Sequence, residues 1–294
     1  MDEKLEQMKQ TYMDIPIPAE LDFIVNQAIN QHRKKPRTNL KWMTAIAAAA
    51  IVFVAGLNTS PAFAHSLADM PVVGKLIKVL TFREYLYDDG THQAKVEVPI
   101  ITNLENKVLE ESLNTKYLEE SRKLYTDFMI DIEKMKASGL EGHLGVDSGY
   151  IVKTDNDQIF AVGRYVVNTA ASSSTTFQYD TIDKKNQLLI TLPSLFKDEG
   201  YVQVISDYIK AQMKQRMKED PTKIYWVEGV PNAVKFYFSS IKKNQSFYIN
   251  KDGKLVIVFQ KYEVTPGYMG TPEFIIPTNL LVDQLSTHAY LLPE

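Results

Sequence analysis

The stretch that most constrains this chain is 33–66. Arg33, Lys34, Lys35, Arg37 and Lys41 precede a run, 42–57, that opens on Trp42, carries no charge and has one hydroxyl, Thr44. Asn58-Thr59-Ser60-Pro61 and the small-residue triplet Ala62-Phe63-Ala64 follow it. A basic flank, an apolar core and an A-x-A tail are the three parts of a secretory signal. About forty residues precede the core, however, more than the n-region of a cleaved signal holds. The stretch therefore reads as a signal-anchor over 42–60, a single membrane span with a candidate signal-peptidase site at its far end. A buried, alanine-rich helix of a soluble domain is the alternative, and it leaves the one-sided basic flank without a cause.

Sixteen apolar residues at ~1.5 Å each make about 24 Å of helix, against ~30 Å of hydrocarbon. The uncharged residues 58–64 must then lie in or near the outer interface. Pro61 ends the helix there, since it lacks the N–H and its ring blocks the ladder. Ala62, Phe63 and Ala64 are left extended, as a protease requires. No Lys or Arg follows the span until Lys75, and the nearest acid before it is Asp22. The positive-inside rule places 1–41 in the cytoplasm and 65–294 outside.

Charge is nearly balanced, with 33 basic and 36 acidic residues, which gives no ground for direct nucleic-acid binding. The chain has no cysteine, so thiol catalysis and Cys-containing zinc sites are excluded. An exported domain of roughly 230 residues buries enough apolar surface to fold without disulfides.

Within 1–41, Leu5, Met8 and Tyr12 share one helical face, and Pro16 and Pro18 end that helix. Leu21, Ile24, Val25, Ala28 and Ile29 form a second stripe at helical spacing. Two helices this short build no core together and are marginal alone in water. Apolar stripes with nothing of their own to bury point to a module that folds on a protein partner. Beyond the span, 61–81 reads as a linker holding the A-x-A triplet and the apolar segment 70–80.

The outer domain, 82–294, reads as α+β, with mainly antiparallel strands and two or three long helices. A hairpin is expected from 82–87 and 93–101 around Asp88-Asp89-Gly90. Thr102 and Glu105 have the form of a capping box opening a helix to about Lys136, with Leu104, Val108, Leu113, Tyr117, Leu124, Phe128 and Ile132 inward. Strands follow at 146–153, 158–168, 175–182 and 188–192, with a small, hydroxyl-rich loop at 170–176. A second helix spans 200–219, with Val202, Ile205, Ile209, Met213 and Met217 inward. Strands at 233–238, 245–249 and 254–264, a turn at 250–253, a short strand at 274–276 and a terminal helix from Thr278 complete the domain.

The five histidines are scattered, and H-E-x-x-H, G-x-S-x-G, the P-loop and G-x-G-x-x-G are all absent. No catalytic, metal or cofactor site is expected, and the chain does not read as an enzyme. The loop 265–272 is the most distinctive outer stretch: two prolines and two glycines fix its backbone while Tyr268 and Met269 stand between them. A rigid loop displaying a tyrosine suits binding, because Tyr adds contact area at low entropic cost.

Several segments together resemble the RsiV-type anti-sigma factors, whose outer domain is of the DUF3298 type. They are Ile17-Pro18-Ala19-Glu20-Leu21-Asp22, Met70-Pro71-Val72-Val73-Gly74-Lys75, Asp220-Pro221 with Lys223-Ile224-Tyr225-Trp226, Phe247-Tyr248-Ile249, Lys254-Leu255-Val256-Ile257, and Tyr262-Glu263-Val264 with Pro266-Gly267-Tyr268-Met269-Gly270. The resemblance implies a membrane-spanning inhibitor whose inner segment binds an extracytoplasmic-function sigma factor through Leu21, Ile24, Val25, Ala28 and Ile29. It implies an outer receptor for lysozyme, with contacts at Pro266, Gly267, Tyr268 and Met269 and a second region at Ser172 and Ser173. Ser174 stands where the family pattern carries an aromatic. Signal peptidase is expected to cut at Ala62-Phe63-Ala64, before His65, and an intramembrane site-2 protease then frees the sigma factor. Two other readings are a membrane-anchored cell-wall-binding or accessory domain and an exported hydrolase. The inner stripes speak against the first and the missing catalytic motifs against the second.

Overall fold

The computed structural model describes residues 77–229 and 237–293. The inner stripes, the apolar run 42–57, the A-x-A triplet and most of the 61–81 linker lie outside the described residues. So does most of the strand expected at 233–238. Among the described residues no helix is long and apolar enough to cross a membrane.

A six-stranded sheet comes first, built of β1 (Lys78–Asp88), β2 (His92–Thr102), β3 (Leu144–Asp155), β4 (Ile159–Ala170), β5 (Ser172–Asp183) and β6 (Leu188–Ile190) in that spatial order. All neighbours are antiparallel except β2 and β3, which run parallel because the helix α1 (Lys107–Ala137) carries the chain back between them. Alternation in β2 puts Ala94, Val96 and Val98 on the buried face. Helix α1 presents Leu113, Tyr117, Ser121, Phe128 and Ile132 inward. Val108 is 79% exposed, a departure from the expected stripe. The cap also moves. Thr102 stays paired to Lys78 in β2, Asn103 turns the chain at φ 69°, and Asn106 caps the helix by accepting from the Leu109 N–H at 3.1 Å.

The expected loop at 170–176 is instead strand. Ala171 alone turns the chain, at φ 59°, and Ser172, Ser173 and Ser174 pair with Ala170, Thr169 and Asn168. The ladder to β4 supplies the backbone bonds that a hydroxyl-rich loop would have left to water.

The second half holds α2 (Gly200–Glu219) and a three-stranded antiparallel sheet, β7 (Phe247–Ile249), β8 (Leu255–Val258) and β9 (Glu273–Ile276). The α2 boundaries match the sequence reading. Strand β8 is shorter than expected, because the chain turns at 260–263. The terminal helix is absent: one 3-10 turn, Thr278–Leu280, is followed by a bridge in which Lys197 N–H donates to Gln284 O and Ser286 N–H to Leu195 O. Those pairings claim the backbone groups a helix would need. Leu281, Leu285 and Leu291 are buried from this irregular segment.

The halves meet along β3, β5, β7 and β9. Thr154 Oγ1 donates to Ile249 O at 2.6 Å, and Lys153 bridges to Glu273 at 2.8 Å. Tyr248 Oη donates to the same carboxylate at 2.7 Å, and its ring lies 5.2 Å from that of Tyr179. Burial first, and Glu273 second, push both phenols up from their ordinary value.

Candidate functional site

The loop 265–272 leaves the end of the short-strand half and is locked from both sides. Thr265 is fully buried beneath it. Pro266 sets φ at −58°, and a 3-10 turn, Gly267–Met269, follows, closed by Met269 N–H to Pro266 O at 3.1 Å. Gly270 ends the turn at φ 68°, a left-handed position that glycine adopts without strain. Met269 faces the core, and its sulfur accepts from the Ile224 N–H at 3.2 Å. Tyr268 is 67% exposed, its ring in solvent.

Tyr268 is nevertheless held in place. Its hydroxyl donates to Thr222 O at 2.7 Å. The strap that supplies this carbonyl is itself ordered by Asp220, which accepts from Thr222 Oγ1 at 2.6 Å and from the Thr222 N–H at 3.0 Å. These bonds, the hydroxyl first, and then Lys223 hold the Asp220 carboxyl below the usual carboxylate range. Trp226 N–H donates to Val264 O at 2.9 Å and fastens the strap to the base of the loop. The Asp-Pro segment singled out in the sequence is thus the scaffold of the tyrosine loop.

Ser172 and Ser173 are exposed at the tip of the β4–β5 hairpin. They connect to the loop through Gln260, Lys261 and Tyr262, of which the sequence marks only Tyr262, as the first residue of a family-like segment and with no site role. The Gln260 side-chain amide caps the free edge of β5, its Oε1 accepting from the Phe177 N–H and its Nε2 donating to Phe177 O, both at 2.7 Å. Lys261 Nζ donates to Ser173 O at 2.5 Å and to Ser173 Oγ at 3.2 Å. Its ammonium also lies 5.3 Å from the centre of the Tyr262 ring. That ring packs on Gly267, where an added Cβ would lie 2.3 Å from it. Neither Lys261 nor Tyr262 reads locally as a contact residue, because residues 254–264 read as continuous strand.

What the arrangement offers is a braced surface of two exposed tyrosines, a lysine and hydroxyls. Among the described residues no group of three or more His, Asp or Glu side chains gathers to hold a metal. The proposed sigma-binding residues and Ala62, Phe63, Ala64 and His65 lie outside the described residues.

The family described as "Protein of unknown function (DUF3298)" matches residues 193–279, which span α2, the three-stranded sheet and the tyrosine loop. A crystal structure of a DUF3298-family member from Bacteroides fragilis NCTC 9343 has a TM-score of 0.52 to this chain at 15% identity, covering 72% of this chain and 94% of that one. At that identity the likeness concerns the fold, a mixed, sheet-dominated α+β domain with two helices. The Anti-sigma-V factor RsiV of Bacillus subtilis (strain 168) is 45% identical over 292 residues, 99% of this chain and 100% of its own length. The chain belongs to the RsiV anti-sigma factor family.

Proposed function

We propose that this protein is a membrane-anchored anti-sigma factor that senses lysozyme outside the cell. The observation that carries the reading is the end-to-end identity of 45% with an anti-sigma factor. Residues 1–41 are its sigma-factor-binding segment, with Leu21, Ile24, Val25, Ala28 and Ile29 buried against an extracytoplasmic-function sigma factor. Residues 42–60 anchor it, 61–81 hold the signal-peptidase site, and 82–294 form the receptor. The one-sided basic flank supports this orientation.

Outside, Pro266, Gly267, Tyr268 and Met269 form the first lysozyme contact, and Ser172 and Ser173 the second. Lysozyme's sugar cleft combines carboxylates with an aromatic wall. A braced tyrosine carrying a ring and a hydroxyl suits such a cleft. Lysozyme binding favours a form in which Ala62-Phe63-Ala64 is open to signal peptidase, and it does so by binding that form more tightly than the closed one. Cleavage before His65 makes the stub a substrate for a site-2 protease, and the sigma factor is released.

The test adds lysozyme to cells carrying either the wild type or Tyr268→Ala, with a reporter under the sigma factor's promoter. Wild-type cells are expected to shed an outer fragment whose N-terminus, by mass spectrometry, is His65, and the reporter should rise. Tyr268→Ala should lose about 2 kcal/mol of binding, as central interface tyrosines do, and release neither fragment nor signal. A fragment beginning far from His65, or none at all from the wild type, would sink the reading.

A further inference from the structure

The turn that follows β8 carries a residue in the wrong conformation for its type. Glu263 N–H donates to Gln260 O at 3.0 Å, and the Glu263 carboxylate accepts from the Gln260 N–H at 2.8 Å, so 260–263 is a closed four-residue turn. Its third residue, Tyr262, sits at φ 69°. Glycine and asparagine take that position with least strain, and a bulky aromatic is rare there. Burial does not explain the choice, because Tyr262 is 48% exposed. Strain of this kind persists where neighbours over-determine the backbone, and it gathers at ligand-binding positions.

The neighbours point the same way. The Tyr262 ring lies so close above Gly267 that no side chain fits beneath it, so the ring and the Tyr268 loop form one continuous surface. On the other side Lys261 grips the hairpin tip at Ser173 while its ammonium faces the Tyr262 ring. Ser173, Lys261, Tyr262, Gly267 and Tyr268 therefore follow one another as a ridge.

We propose that Lys261 and Tyr262 are partner-contacting residues that join the loop at Tyr268 and the hairpin tip at Ser173 into one ridge, made to enter an acidic cleft with an aromatic wall. The inference rests on the lysozyme reading and extends it by two residues. Tyr262 offers a half-exposed ring packed on Gly267, the residue before Tyr268, and Lys261 brings the positive charge that a pair of cleft carboxylates attracts. A ridge of two rings and one cation selects a cleft of this chemistry over a purely apolar groove.

The competing account makes Tyr262 a prop whose only task is to hold Gly267. The two accounts differ in sign for Tyr262→Asn, which removes the ring and relieves the left-handed backbone. The experiment uses the detergent-solubilised full chain, with calorimetric titration of purified lysozyme and a thermal melt of each variant. Tyr262→Asn is expected to melt at or above the wild-type temperature while its dissociation constant rises tenfold or more. Lys261→Gln, which can still donate to Ser173, is expected to weaken binding several-fold in low salt and much less in high salt. A lowered melting temperature accompanying the loss of affinity would make Tyr262 a prop and overturn the proposal. Wild-type affinity for Tyr262→Asn, alongside lost affinity for Tyr268→Ala, would overturn this inference and leave the lysozyme reading intact. If the wild type binds no lysozyme, both fall.

Discussion

Beneath α1 the six-stranded sheet keeps a cluster of charges, whereas the core beneath α2 is continuous and apolar. The α1 side holds two separate apolar groups, one around Tyr117 and Phe160, the other around Phe128 and Val96. Beside Tyr117 sits Asp180, 4% exposed in its side chain, which accepts from Tyr117 Oη at 3.0 Å, Lys116 Nζ at 3.0 Å and Arg164 at 3.1 Å. Arg164 also pairs with Glu120, and its guanidinium lies 4.3 Å from the centre of the Tyr117 ring. On the α2 side, Ile205, Ile209 and Met213 meet Phe259, Phe274 and the buried strands β7 and β8 in one cluster. The contrast separates two tasks. Apolar burial is non-directional and supplies stability, while a satisfied polar cluster fixes where α1 lies along its sheet.

The titration directions agree with that division. Burial raises the Tyr117 phenol, and the Asp180 charge adds to it. For Arg164, burial alone would lower the pKa, but Asp180, Tyr117 and Glu120 outweigh it and the net shift is upward. Arg164 keeps its charge because those partners offset its burial.

The largest effect is expected from opening the apolar core. Phe274 is fully buried, edge-on to Phe259 at 5.7 Å and beneath Arg216 at 4.3 Å. Phe274→Ala should cost about 3–5 kcal/mol, read as a fall in the denaturation midpoint. A loss below about 1 kcal/mol would show that the α2 side is loosely packed and would erase the contrast.

The polar cluster should answer differently to one substitution and to two. Asp180→Ala leaves the mostly buried Arg164 with Glu120 as its remaining carboxylate and is expected to cost about 3 kcal/mol. Arg164→Met with Asp180→Leu removes the Arg164–Asp180 ion pair and should recover part of the loss, since buried pairs exchanged for packed apolar groups are often nearly neutral, while the Tyr117 hydroxyl is left without its acceptor. The sharper readout is order: hydrogen exchange in α1 should stay faster in the double variant than in the wild type, because the helix loses its fixed register. If the double variant is as unstable as the single one, the cluster is a source of stability and the division of tasks is wrong.

Local pattern made part of this legible. The β1–β2 hairpin, the C-terminal end of α1 and both ends of α2 follow from alternation, helical spacing and turn residues within a dozen positions. The Asp180 cluster was not legible, because its partners lie up to 64 residues away in sequence and only the fold brings them together. Competition misled the reading elsewhere. Thr102 and Glu105 spell a capping box, but pairing of Thr102 to β1 wins and passes the cap to Asn106. Ser172 to Ser174 look like loop until β4 offers a ladder. In the candidate site, the tyrosine loop stood out by its prolines and glycines. Lys261 and Tyr262 did not stand out by local pattern, because they sit on a left-handed turn that strand-like sequence conceals.

The smallest effect is expected where the two regions share one carboxylate. Asp183, at the end of β5, accepts from the Lys185 N–H at 2.8 Å, the Asn186 N–H at 2.9 Å and Asn186 Nδ2 at 2.7 Å, which closes the turn into β6. It also accepts from Tyr290 Oη at 2.7 Å, and Tyr290 packs on the α2-side core. Burial alone would raise its pKa, but the bonds from Asn186, Tyr290 and Lys185 prevail and hold it below the ordinary value. A carboxylate whose folded pKa is depressed contributes stability that is complete above the unfolded value near 4 and is lost as pH falls through the lower, folded one. Asp183→Asn, which keeps the shape but accepts fewer bonds, should therefore cost roughly 1 kcal/mol at pH 7. The gap to wild type should narrow as melts are repeated from pH 5 down to pH 3. A gap that stays constant over that range would mean that Asp183 acts through its shape and not its charge, and that the two regions are joined by packing alone.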